Sequence, residues 1–465
     1  MIKEAQIKHL LNRATFGISI DKYDQTLKSN PDQVIKGLFQ NAKSAKSIRV
    51  KGVQLPDLMA LRNMSKEERQ QFRKQSREQL KDVNMTWCQQ MAGEDGLLAE
   101  KMTLFWHDHF ACRNLNGFLA QQHNNTLRKH ALGKFGDLLM AVAKDPAMLQ
   151  FLNNQQNRKE SPNENFAREL LELFTMGRGN YTEADIKNGA RAFTGWGFNL
   201  QGEHIFRKRV HDYGEKTFMG RTGDLNGEDI IEIVLENKQT AYFITEKIYR
   251  YMVNDTPQEN IIKELADGFY RSDYDIKKLL NDIFKSDWFY RNEHVGTRIK
   301  SPVELMLGIQ HQLGLSFSEP ESVLFLQKAL GQVLLLPPNV GGWPTGREWI
   351  DSSSLTFRMA IPTLIANNKP ITYESQKDGD VNTQNLGKRV KNLVGDIAWP
   401  KLMEHLYDDN DQQLVEKAER YFLSTSLTAQ TKKQAVAYVG TGTDENDRLK
   451  KACVAIMSMP EYQLC

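Results

Sequence analysis

Apolar residues recur with the period of an α-helix along almost the whole chain, and this periodicity limits the fold more than any motif does. "GLLAEKMTLFWHDHF", "HALGKFGDLLMAVAKDPAMLQFL", "QTAYFITEKIYRYMV", "QENIIKELADGFY" and "DIKKLLNDIFKSDWF" all repeat apolar positions at three- and four-residue steps, the spacing that lines one side of a helix. Strand-like alternation is confined to about residues 195–220, where "EHIFRKRV" and "EKTFMG" are expected to pair as a short hairpin. The fold class is therefore mainly α, a large multi-helix body with a small β excursion. A chain of 465 residues can fill two or three cores or one large helical body. The polar, aperiodic stretch "NNKPITYESQKDGDVNTQN" suggests the boundaries: a helical main domain over 1–366, a polar loop over 367–385, and a C-terminal helical portion over 386–465 packed on the main domain. Two echoes, "LLNDIFKSDWFY" and "ACVAIMSMPEYQ", run from an apolar helix through a serine into acid plus aromatic; two copies do not make a solenoid.

Charge narrows the function classes. A net charge of +3, with basic residues scattered, gives no footprint for nucleic acid. The densest run, "KEERQQFRKQSREQLK", mixes both signs at helical spacing behind an S-x-x-E capping box at Ser65 and Glu68, and reads as a solvated amphipathic helix. Four cysteines show neither C-x-x-C nor framework spacing. No apolar run approaches the roughly 20 residues of a membrane span. The N-terminus, "MIKEAQIKHLLNRATFG", enters an amphipathic helix without a signal core. The chain as given reads as cytoplasmic, and as periplasmic or secreted if an export signal was trimmed.

The segment "SPNENFARELLELFTMGRGNYTEAD" raises the question of chemistry. Ser161, Pro162 and Glu164 read as a capping box, Phe166, Leu170, Leu173 and Phe174 as a core stripe, and Gly177 with Gly179 as the stop. Asn165, Arg168, Glu169 and Glu172 then share one face at i, i+3, i+4, i+7. That face is either ordinary solvated surface or the wall of a site.

Four further clusters bear on the choice. In "LAEKMTLFWHDHF", His109 belongs to the apolar face and His107 to another, so the two cannot chelate one ion within a regular helix. His123 and His130 follow, placing four of the ten histidines between positions 107 and 130. "LNNQQNRKESPNEN" is rich in carbonyl oxygens that suit a hard divalent cation, calcium or magnesium, though asparagines serve turns equally well. "VHDYGEKTFMG" sets His211, Asp212 and Glu215 on a glycine-containing loop, and "LLLPPNVGGWPTGREWI" presents Trp343 and Trp349 beside Asn339 and Arg347.

These blocks, together with "HLLNRATFG", "KSPVEL" and the long run through "NGARAFTGW", resemble in content and order a bacterial family catalogued as domain of unknown function 1800. The resemblance spans nearly the whole chain and implies a single helical architecture. It assigns no reaction. Family members are commonly exported and encoded beside sulfatase-like secreted proteins, which implies an envelope setting, polymeric substrates and a sulfatase-like protein as a partner.

Three functions are carried forward. The first is a hydrolase acting on an envelope or extracellular polymer, most plausibly a glycan. There Glu169 and a second carboxylate, Asp212 or Glu172, serve as acid and base, and His107 or His211 shares the proton transfer or binds a cation. Arg168 orients Glu169 or the substrate, Trp343 stacks on the sugar, and Asn165, Asn339 and Trp196 complete the expected binding set. The second is a metal-dependent oxidoreductase built on the His107–His130 cluster. The third is a non-enzymatic helical scaffold for a neighbouring secreted protein. No nucleotide loop, G-x-S-x-G elbow or zinc signature is present in the sequence.

Overall fold

The computed structural model describes residues 2–53, 64–199, 201–370 and 392–465. The expected polar loop at 367–385 lies mostly outside them. Among the described residues the protein is mainly α-helical, and no helix is long and apolar enough to cross a membrane. The buried apolar side chains form one cluster, from Ile7 in the first helix to Tyr462 near the other end. The four helices between Trp399 and Met457 join that cluster, and the buried Tyr421 hydroxyl donates to the carbonyls of Ile18 and Gln312.

The Leu97–His109 helix is the axis of the body. Every residue from Leu97 to His107 is buried, so the helix is enclosed on all sides by other elements. Two charges inside it are satisfied by partners of opposite sign. Glu100 accepts from Arg128 at 2.5 and 3.0 Å and from the Trp87 indole at 2.8 Å, and Lys101 donates to Glu304 at 2.5 Å. Packed around it are the helices Ile2–Ala14, Pro31–Asn41 and Gly117–His130.

Local signals decide several ends. The capping boxes Ser65/Glu68 and Thr182/Asp185 form. The Lys66–Met91 helix is mostly solvated along its first half and buries Leu80, Val83, Trp87 and Met91 in its second. The box expected at Ser161 does not form: Ser161 bridges to Arg158, and the helix starts four residues on, at Asn165. Asn163 caps the turn instead, its Oδ1 accepting the Asn165 N–H at 3.0 Å. Both echo segments are a helix followed by a 3-10 turn that buries an aromatic ring, Phe289 in one and Tyr462 in the other.

The β excursion is larger than a single hairpin. β1 (Trp196–Phe198) pairs antiparallel with β2 (His204–Phe206), and β3 (Lys216–Phe218) with β4 (Arg221–Gly223). The expected pairing of β2 with β3 is thus replaced by two consecutive hairpins, each closed by its sequence neighbour. A third pair joins β5 (Ser316–Phe317) to β6 (Gly395–Asp396).

Candidate functional site

The axial helix ends in His107, Asp108 and His109, and each takes a different environment. His107 is enclosed by Trp87 and Trp343, its ring 5.0 and 5.3 Å from theirs, and Nε2 accepts the Leu335 N–H at 3.0 Å. Burial pushes this imidazole down to about 3, so it stays neutral. It anchors a loop whose Leu335 has φ +68°. Asp108 accepts the Trp343 N–H at 2.8 Å. Burial raises its carboxyl to about 6, against that hydrogen bond and the nearby Lys247, which both favour the charged form. Gly342 makes the approach feasible: its φ is +86°, and a Cβ there would lie 2.3 Å from the Asp108 Oδ1. His109 sits within 3.0 Å of the Phe174 carbonyl and 3.3 Å of Lys247 Nζ, and its burial also favours the neutral ring.

The carbonyl partners of Lys247 and His109 belong to the helix that carries the polar stripe. This helix is α over Asn165–Glu169 and π over Leu170–Thr175. The Met176 N–H reaches back five residues to the Leu171 carbonyl at 3.0 Å. A single π turn is frequent at functional sites. Its last carbonyls need donors; Lys247 reaches that of Leu173 at 3.4 Å and His109 that of Phe174. Burial lowers the Lys247 ammonium, opposing the macrodipole, which favours a positive charge at this helix C-terminus.

Glu169 and Glu172 stand on this same helix three residues apart, across the start of the π turn, close enough for the charge of one to act on the other. Glu169 has no hydrogen bond or ion pair among the described residues. Burial, and then the Glu172 charge, raise its carboxyl above the usual range. Glu172 is bonded by Arg178 and, at 2.9 Å, by the Tyr181 hydroxyl, and Arg178 holds it below that range. Two adjacent carboxyls are thus driven apart in acidity, the arrangement that separates an acid from a base.

The other expected residues are engaged elsewhere. Arg168 does not hold Glu169: it makes a bidentate pair with Glu183 at 3.0 Å and reaches Glu164 at 3.2 Å. Asp212 is gripped by Arg191 at 2.7 and 3.3 Å and lowered by it. His211 is buried, its Nδ1 2.8 Å from the Thr194 carbonyl and its ring between Phe206 and Tyr213. Trp343 and Trp196 are buried, the latter against Phe193 and His204. Asn165 and Asn339 are exposed, and Asn339 accepts the Gly341 N–H within its own turn. His123 faces the Phe110 carbonyl and Asp145, each at 3.4 Å. In the asparagine-rich stretch, Asn154, Asn157 and Asn163 each commit their side-chain oxygen to a nearby N–H. Among the described residues no group of three or more His, Cys, Asp or Glu is placed to hold a metal ion.

His107 and Trp343 therefore meet, at Asp108. Glu169 and Glu172 stand together on the π-bulged helix, which His109 and Lys247 tie to the axial helix. His211 and Asp212 form a separate group beside Arg191 and Thr194. Asp108 and Lys247 were missed by sequence reasoning. Asp108 stood in view between two histidines, and the glycine pair before Trp343 was the sign that a backbone approaches something closely. Lys247 gave no such sign.

No curated protein and no solved structure matches the chain. A family model described as "Protein of unknown function (DUF1800)" matches residues 9–464, from within the first helix through the last 3-10 turn. The chain belongs to the DUF1800 family.

Proposed function

We propose that the protein is a hydrolase acting on a polymeric substrate, a glycan in the first instance, with Glu169 and Glu172 as its carboxylate pair. The observation that carries this reading is the opposed shift of two carboxyls three residues apart on one helix: Glu169 has no hydrogen bond and is raised by burial and Glu172 against the charges of Arg168 and Arg178, and Glu172 is held ionised by Arg178 and Tyr181. Glu169, protonated over a wider pH range, donates its proton to the leaving oxygen of the scissile bond. Glu172, ionised, stabilises the positive charge developing at the anomeric carbon and accepts the proton of the attacking water. Asp212, paired with Arg191, is the weaker candidate for the second carboxylate. Lys247 and His109 position the pair by fixing the C-terminal carbonyls of its helix.

The test is release of reducing ends from a panel of envelope polysaccharides by the purified protein, alongside Glu169→Gln and Glu172→Gln. Both variants should fold and lose activity, by about 10²-fold or more for the acid. Full activity in Glu169→Gln would refute the assignment. A second reading, a binding scaffold, draws on the internal partners that already occupy Arg168, Asp212, His107 and His211. It predicts no turnover on any polymer and retained partner binding in both variants.

A further inference from the structure

Two of the five large apolar side chains exposed among the described residues share one partner. Phe206, 40% exposed, and Tyr213, 54% exposed, both meet the His211 ring, with centroids 4.9 and 4.7 Å away and planes 70° and 81° from it. His211 is itself buried and held by Thr194, whose carbonyl lies 2.8 Å from Nδ1. Gly195 lets these rings close up. Its φ is +84°, and a Cβ there would lie 3.3 Å from the His211 Cβ and 3.4 Å from the Phe206 Cε2. The two exposed rings are thus fixed before any ligand arrives, which keeps the ordering cost of a contact low. The Tyr213 hydroxyl has no hydrogen-bond partner among the described residues.

The chain around these rings is basic. "FRKRVHDY" sets Arg207, Lys208 and Arg209 between Phe206 and Tyr213. Arg207 turns inward and donates to the carbonyls of Gln155 and, at 3.2 Å, Trp196. Lys208 and Arg209 are exposed. The Lys159 N–H donates to the Val210 carbonyl at 2.9 Å, which brings the exposed Arg158 and Lys159 alongside, and the charge of Arg158 acts on Arg207. None of these four exposed cations has a side-chain hydrogen bond or ion pair among the described residues. Arg191 already neutralises Asp212, and the exposed Glu160 and Glu215 leave the patch with cations in surplus.

We infer that Phe206, Tyr213 and the four cations beside them form a binding platform for an acidic polysaccharide, whose sugar rings stack on the aromatic pair while their carboxylates meet the cations. The inference rests on the glycan reading above and names the charge of that substrate. A sugar offers apolar C–H faces to the rings and hydroxyls to Tyr213, Glu160 and Glu215. The forks of Arg158 and Arg209 match a carboxylate with two parallel hydrogen bonds. Single-stranded nucleic acid also combines stacking with anionic contacts. The patch favours the sugar, because its two free carboxylates need hydroxyl donors and the basic residues elsewhere are scattered, leaving no track for a phosphate backbone. The platform also stands apart from the carboxylate pair. Glu183, which holds Arg168, and Arg191, which holds Asp212, are about 12 Å apart along the axis of one helix. A polymer spans that separation where a single sugar does not.

The test is affinity electrophoresis of the full chain at low salt, through gels containing polygalacturonate, its neutral methyl ester or polyuridylate. Polygalacturonate should retard the protein and the ester should not. Tyr213→Ala should weaken the retardation roughly 3–10-fold, and Lys208→Gln combined with Arg209→Gln should remove the preference for the charged polymer. These side chains are exposed, so each variant should melt as the wild type does. Equal retardation by the ester, undiminished binding in Tyr213→Ala, or tighter binding to polyuridylate overturns the inference. Binding and cleavage are read separately. Retardation with no reducing ends released from any polymer supports the platform and refutes the carboxylate pair, whereas release without retardation overturns the platform alone.

Discussion

Asp108→Asn tests whether the axial helix ends in a group held in reserve for chemistry. The carboxyl is raised from 3.8 to about 6, chiefly by burial. That is about two pH units at about 1.4 kcal/mol each, so the ionised form costs the fold at most about 3 kcal/mol. Asp108 keeps part of its surface in water, which trims the figure. The sign follows from the direction of the shift: a raised carboxyl contributes stability below its unfolded value, near 4, and loses it as pH rises through about 6. Asparagine retains the oxygen that accepts the Trp343 N–H and removes the charge. Urea unfolding of both proteins from pH 4 to pH 8 should give equal stability at the acid end. The variant should then lead by about 1–3 kcal/mol above pH 7. A difference independent of pH, or a variant less stable at pH 8, would refute the reasoning, because it would mean that the charged form of Asp108 is the one the fold prefers. Such a gain on removing a group is expected where stability has been traded for function.

Other outcomes follow from the same geometry. Gly342→Ala should cost at least about 2 kcal/mol, from a left-handed φ combined with a Cβ driven onto Asp108, and a melt with Trp343 fluorescence will read it. Glu169→Gln should be neutral or slightly stabilising near pH 7, by less than about 1 kcal/mol, with the gain absent below the unfolded glutamate range; a clear loss would mean that Glu169 has a charged partner. Arg168→Ala should cost no more than about 1 kcal/mol, because its partners Glu164 and Glu183 are exposed carboxylates that water can satisfy. His405 joins the Trp399–Leu406 helix to Asp24 and Asp21 at 2.6 and 3.0 Å; burial opposes its charge, but the two carboxylates outweigh it and raise the ring. Stability from this contact should be full below about pH 6 and fade as pH rises through the raised value, and His405→Asn should flatten that part of the profile.

The helical body was legible in the sequence because each long helix carries its own apolar stripe, and the stripe must face a core wherever that core lies. Ser65 with Glu68, Thr182 with Asp185, and the stop at Gly177 were legible for the same reason: a cap is satisfied within four residues. Ser161 with Glu164 satisfied the same local rule and failed, since a bridge to Arg158 offered Ser161 another conformation. The two hairpins were half legible, because alternation names strands without naming which neighbour each one pairs with. Partners distant in sequence were beyond reach. Arg168 found Glu183, fifteen residues on, in place of Glu169 or Glu172, and Asp212 found Arg191. The π turn, which changes the phase of the stripe and leaves Leu173 partly exposed, has no local signature of its own. Asp108 illustrates the division most clearly. Its sequence places it on a helix beside two histidines, but an acidity near 6 comes from burial, to which a glycine loop more than two hundred residues away contributes, working against the charge of Lys247 on a third element. Burial and field are sums over neighbours in space, and only the tertiary structure supplies those neighbours.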